Sequence, residues 1–257
     1  MNNEVKRIFY ERAKIVANLD KIISAAKKSN SNNGQLSLFA EEHVDIEISL
    51  DEPVDFDPLK MAIAEKNALG FSMLYSQFDE YFMVQCRYCN SNIASLLMGI
   101  ESTDLMTMLA EIKAIEYRTS QYGNKYAKIT FADQTGEDKM YLFGRLYLRM
   151  IAKCFIGRIY LLTVKKSEEG KIDIINFMLT DEIPDVSKTS NELHVVTTTE
   201  HLPVLRMYLK SYMMGDKTSV SVTLTDLDME IPDVEKVLID NTNLLEMSKQ
   251  GFELKLK

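Results

Sequence analysis

Four groups of residues in this chain have the types and spacing to do chemistry. Asp55-Phe56-Asp57 sets two carboxylates one residue apart, the raw material of a two-metal site. It stands between Pro53 and Pro58, however, in an acidic run (40–57) with eight carboxylates and no Lys or Arg. No strand alternation and no third carboxylate on a clear strand support it, so it reads as a solvated acidic linker. Cys86-Arg87-Tyr88-Cys89 has the spacing of half a zinc site. No second pair exists, and His43, His194 and His201 fall in unrelated segments, so the thiols read as structural or free. No catalytic residue, metal or cofactor is expected. The third group, Gln35-Leu36-Ser37-Leu38-Phe39, packs three large apolar side chains into five residues flanked by polar linker. It reads either as an anchor for a partner's pocket, with Gln35 as the polar end, or as a staple onto this protein's own surface.

The fourth group is a scatter of cations and phenol rings: Arg118, Tyr122, Lys125, Tyr126, Lys128, Lys139, Tyr141, Lys165, Lys166 and Lys171. Backbone phosphates need cations, and splayed bases need flat π-faces. Ordinary solvated strands carry the same residue types. What decides is whether the elements bring them together. Segments 109–118, 125–131 and 139–143 read as strands, separated by turn compositions at 119–124 and 133–136. A helical spacing covers 145–153, and two more strands follow at 158–166 and 171–179. Three strands, a helix and two strands is the order of an OB-fold, a five-stranded Greek-key barrel, here assigned to 106–183. Alternation puts Tyr126 and Lys128 on the face opposite the core, with Lys139 and Tyr141 beside them if the third strand keeps its pattern. Arg118, Tyr122 and Lys125 rim the first turn, and Lys165, Lys166 and Lys171 the last.

Around the barrel, 1–28 predicts one amphipathic helix, with Val5, Ile8, Phe9, Ile15, Val16, Leu19, Ile22, Ile23 and Ala26 on a single stripe. Residues 29–58 form a flexible linker that carries Gln35–Phe39, and 59–105 a helical connector that opens with a helix from Pro58 to about Gly70. Segment 190–257 predicts a small α+β interaction domain: strand 193–197, helix 202–212, strand 219–224, a short helix 234–239 and a last strand 252–256. The fold class is therefore α+β and multidomain, with N-terminal helices, an OB barrel and a C-terminal α+β domain. Thirty basic residues stand against 38 acidic ones, a net charge of −8, which disfavours attachment to DNA by bulk charge. The barrel differs, with twelve basic and ten acidic residues over 106–182. Three cysteines, no signal sequence and no long apolar run predict a cytoplasmic protein that uses no membrane.

Taken in order, these pieces resemble the C-terminal region of the α subunit of bacterial replicative DNA polymerase III. Ala17-Asn18-Leu19-Asp20-Lys21-Ile22-Ile23 resembles the helix closing that family's helix-hairpin-helix region, and Gln35–Phe39 its internal sliding-clamp motif. Leu69-Gly70-Phe71 and Asp79-Glu80-Tyr81 match its segment ahead of the barrel. Gly123-Asn124-Lys125-Tyr126, Thr135-Gly136 and Leu142-Phe143-Gly144 match its OB domain. Two places depart: Leu74-Tyr75-Ser76-Gln77 replaces a Ser-Gly-His-Pro, and Thr119-Ser120-Gln121-Tyr122 replaces a Lys-rich loop. The resemblance implies a sliding clamp as partner of Gln35–Phe39, single-stranded DNA as ligand of the barrel, and a clamp-loader subunit as partner of the last domain. It also implies a chain without an active site, the family's polymerase core lying ahead of Met1. A protein-contact module whose barrel no longer takes nucleic acid fits the same residues.

Overall fold

The stripe over 5–28 predicts one helix, but the computed structural model has two, α1 (Asn3–Ala17) and α2 (Leu19–Asn32). The residues described are 3–32, 48–98, 105–166, 172–211 and 214–257, without the side chains of 28–32, 211, 214 and 216. Asn18 makes the break. Its buried amide donates to the Lys14 and Asp51 carbonyls, 2.8 Å each, and accepts from the Asp51 amide at 2.9 Å. A side chain so engaged with backbone competes with helical continuation. Of the stripe, Phe9 is buried against Ala62 and Tyr75, while Ile15, Val16, Leu19 and Ile23 remain 42–65% exposed.

Helix α3 (Pro58–Leu69) shows what Asp57 does. Its carboxylate accepts from the Leu59 and Lys60 amides, and Pro58 follows at the first helical position. The Asp55–Asp57 pair is thus half helix cap, a stabilising use of an anion at a helix N-terminus. Gly70 ends α3 with φ 82°, in the left-handed region open to glycine. Glu65, on α3, is buried, pairs with Arg12 of α1, and accepts from the Met73 and Leu74 amides. These helices belong to the first of two compact units, Met1–Ser76 and Gln77–Lys257.

The second unit includes α4 (Phe82–Tyr88) and α5 (Ile93–Leu97), short helices in the stretch whose sequence predicts a helical connector. The barrel follows: β1 (Met106–Thr119), β2 (Lys125–Ala132), β3 (Glu137–Leu142), α6 (Gly144–Met150), β4 (Ile159–Lys166) and β5 (Ile172–Leu179). Its closed strand order is β1-β2-β3-β5-β4, with β3 and β5 parallel and the other pairs antiparallel. With α6 between β3 and β4, this is an OB-fold. A bulge at Ile112–Ala114 lets the long β1 pair with β4 along its first half and β2 along its second, the bend that closure of a small barrel requires. Met108, Ile112, Ile129, Phe131, Leu142, Leu162 and Phe177 fill the interior, and Ile93 and Leu96 of α5 plug one end. The turn Asp133–Gly136 holds that plug: Asp133 accepts from the Ile93 amide at 2.8 Å and Thr135 from Ala94 at 3.0 Å.

After α7 (Val186–Thr189) come β6 (Glu192–Thr197), α8 (Leu202–Ser211), β7 (Met214–Leu224), β8 (Met229–Val237), α9 (Asn241–Lys249) and β9 (Glu253–Leu256). They form a four-stranded sheet, β8-β7-β6-β9, with β6 and β7 parallel. Side chains of α4, α8 and α9 join the sheet's buried face in one core around Leu193, Val195, Val222 and Leu244. The helix predicted at 234–239 is overturned: most of it is strand β8, with Glu235 opposite Val220 and Lys236 opposite Ser219. Val237 and Ile239, two residues apart, are both buried, a period-2 pattern in β-branched residues. Pro232 and the left-handed Asp233 (φ 48°) fall where the β8 register shifts and obscure that pattern in sequence. The helix of this region is α9, capped by Asp240. Among the described residues no helix is long and apolar enough to cross a membrane.

Candidate nucleic-acid interface

The outer face of β1, β2 and β3 gathers five of the predicted residues. Cross-strand register sets Arg118 beside Tyr126, Glu116 beside Lys128 and then Tyr141, and Thr130 beside Lys139. Ala127, Ile129, Met140 and Leu142 point the other way into the core, so the pleat forces these partners outward. Tyr126 and Tyr141 have ring centroids 6.3 Å apart. A third ring joins them. Phe143 stacks on Tyr126 at 5.1 Å and on Tyr141 at 5.6 Å, with interplanar angles of 29° and 12°. Phe143 is 58% exposed and Tyr141 41%. Tyr126 is half-buried beneath them, so the open π-surface is that of Phe143 and Tyr141.

Phe143 is the functional candidate that the predicted set omits. The predicted strand 139–143 ends on it, and the alternation that carries Lys139 and Tyr141 outward carries it as well. Glu116 is the other omission, and only the β1–β2 register reveals its place. Its carboxylate is hydrogen-bonded and ion-paired to Arg118 and lies 4.0 Å from the Lys128 ammonium. The Arg118 hydrogen bond, with the charges of Lys128 and Lys139, holds the Glu116 carboxyl below the usual range. The same contact raises the Arg118 guanidinium further above its ordinary value.

The other predicted residues lie apart from this cluster. Tyr122 is 81% exposed in the β1–β2 turn, whose Gly123 takes φ 78°. Lys125 pairs with Thr119 at the strand ends. Lys165 lies two strands beyond Tyr141, with Asp173 of β5 between them in the register. Lys166 lies at the end of β4, opposite Ile172. Lys171 lies outside the described residues, as do Gln35, Leu36, Ser37, Leu38 and Phe39.

Cys86 and Cys154 are buried and Cys89 half-buried, and burial pushes all three thiols up to about 12. Metal ligation needs thiolates, and among the described residues no three His, Cys, Asp or Glu side chains converge.

No known family matches this sequence, and no curated protein does. Among solved structures, the chain is similar to the mitochondrial single-stranded DNA binding protein Rim1 of S. cerevisiae, at 13% identity. That match covers 31% of this chain and 95% of Rim1, with a TM-score of 0.26. A second similarity is to the second OB-fold domain of replication protein A from Methanococcus maripaludis, at 19% identity. It covers 32% of this chain and 90% of that domain, with a TM-score of 0.24.

Proposed function

We propose that the barrel binds single-stranded DNA across the outer face of β1, β2 and β3. The observation that carries this reading is the stack of half-buried Tyr126 with exposed Tyr141 and Phe143, bordered by Arg118, Lys128 and Lys139. Each ring face is worth about 1–3 kcal/mol per stacked base, independent of sequence. The cations supply the phosphate term, whose salt slope is about −0.7 per phosphate contacted on a single strand. With so few cations, and one carboxylate among them, binding is weak and not base-specific. Fluorescence anisotropy of a labelled dT15 oligomer, titrated at two salt concentrations, tests this. Saturable binding that weakens with salt supports it, and no binding at low salt overturns it.

The finer reading is a non-catalytic accessory region of a replicative polymerase α subunit. Gln35–Phe39 would tether it to the sliding clamp and the C-terminal sheet domain would contact a clamp-loader subunit. Its support is the order of sequence motifs and the apolar content of Gln35–Phe39 between polar flanks. Calorimetric titration with the sliding clamp of the same source, beside a Leu38→Ala/Phe39→Ala double variant, tests it. Micromolar binding lost in the variant supports the tether. No binding, or binding indifferent to the substitutions, removes it. A rival reading, a protein-contact module, draws on the Arg118–Glu116 pair, which occupies a cation that phosphate would use; the dT15 titration decides between them.

A further inference from the structure

We propose that Glu116 is a specificity-determining residue: its carboxylate sits where a phosphate would, and so makes the β1–β2–β3 face demand bases rather than anionic charge alone. The inference rests on the single-strand reading for its ligand and on the contacts of Glu116 for its mechanism. Arg118 and Lys128 are the cations nearest the stacked rings by register, Arg118 beside Tyr126 and Lys128 beside Tyr141. Glu116 lies on β1, two residues before Arg118 and opposite Lys128 of β2, and meets both, Arg118 by a hydrogen-bonded ion pair and Lys128 at 4.0 Å. All three side chains reach solvent, at 42% for Glu116, 50% for Arg118 and 21% for Lys128.

An incoming phosphate must therefore displace a carboxylate already in place or share the cations with it. A ligand that is only a polyanion has nothing else to gain and bears the whole cost. A single strand also lays bases on Phe143 and Tyr141, contacts that leave the ion pair untouched. The carboxylate thus penalises charge-only ligands more than stacking ones. In a chain of net charge −8, this keeps a small cationic patch from becoming a general anion site.

The test compares the intact chain with Glu116→Gln and Glu116→Ala, using two probes: inorganic polyphosphate and labelled dT15. Glutamine keeps the shape and hydrogen-bonding reach and removes only the charge; alanine guards against a new glutamine contact. Both variants should bind polyphosphate about fivefold or more tightly, the size of one unit-charge contact near 4 Å in a water-like dielectric. Binding of dT15 should tighten less, so that the preference for dT15 narrows. Unchanged polyphosphate binding in both variants overturns the role of Glu116 even if dT15 binds well. Equal gains for the two probes overturn the selectivity and leave a plain charge effect. If the intact chain binds no dT15, the single-strand reading fails, and a gain in polyphosphate binding still identifies Glu116 as a guard against anions.

Discussion

Phe143→Ala should weaken single-strand binding without unfolding the barrel. Phe143 caps the start of α6, is more than half exposed, and touches Tyr126 and Tyr141 rather than the interior. Removing an exposed ring of this kind should change stability by less than about 1 kcal/mol. The ring's loss from the binding face is larger, about 1–3 kcal/mol per stacked base, which raises Kd by about 5- to 150-fold. Because Phe143 stacks on both tyrosines, a Phe143→Ala/Tyr141→Ala double variant should lose less than the sum of the two single losses. Anisotropy titrations with dT15 at several salt concentrations separate ring from charge. Phe143→Ala should shift the whole line of log K against log salt and keep its slope. Lys139→Ala should flatten the slope by about 0.7, one phosphate contact. An unchanged Kd for Phe143→Ala in a properly folded variant refutes the stacking platform. A flattened slope would refute the division of labour between rings and cations.

Three further outcomes test how the scaffold is held. Tyr160, buried in the barrel, donates to the Lys153 carbonyl at 2.7 Å and accepts from the Phe155 amide at 2.9 Å. Tyr160→Phe strands both groups and should cost about 1–3 kcal/mol in urea denaturation. For Glu65, burial alone would raise the carboxyl, but the Leu74 and Met73 amides and Arg12 outweigh it and hold it below the ordinary 4.5. A group depressed in the folded state stabilises above its unfolded value, and that contribution is lost as pH falls through the folded value. Glu65→Gln should therefore lower stability at pH 7 and show a shallower loss between pH 5 and pH 3, read from urea midpoints. The three thiols, pushed up to about 12 by burial, should resist a disulfide reagent at pH 8 until denaturant is added. Rapid labelling of the folded protein would contradict their burial.

The barrel was legible because each strand declares its faces every second residue and the intervening turns are short. Lys139, Tyr141, Tyr126 and Lys128 reach one surface for that reason alone. Legibility failed where local pattern and tertiary demand part. Val237 and Ile239 belong to a strand pattern, yet Pro232 and Asp233 interrupt it, and a short β-branched run then passes for a helix. Asn18 sits mid-stripe with ordinary helical neighbours, and only its contacts with Asp51, distant in sequence, reveal the break. The interface adds a different limit. Summing charge over 106–182 gives a surplus of two cations and says nothing of their availability. Register shows that one carboxylate, Glu116, meets Arg118 and lies near Lys128, the cations closest to the rings. Net charge is a property of composition, but free charge is a property of strand pairing. If Glu116 and Tyr117 exchanged places on β1, the composition would be unchanged, the carboxylate would leave the outer face, and the patch would become an open anion site.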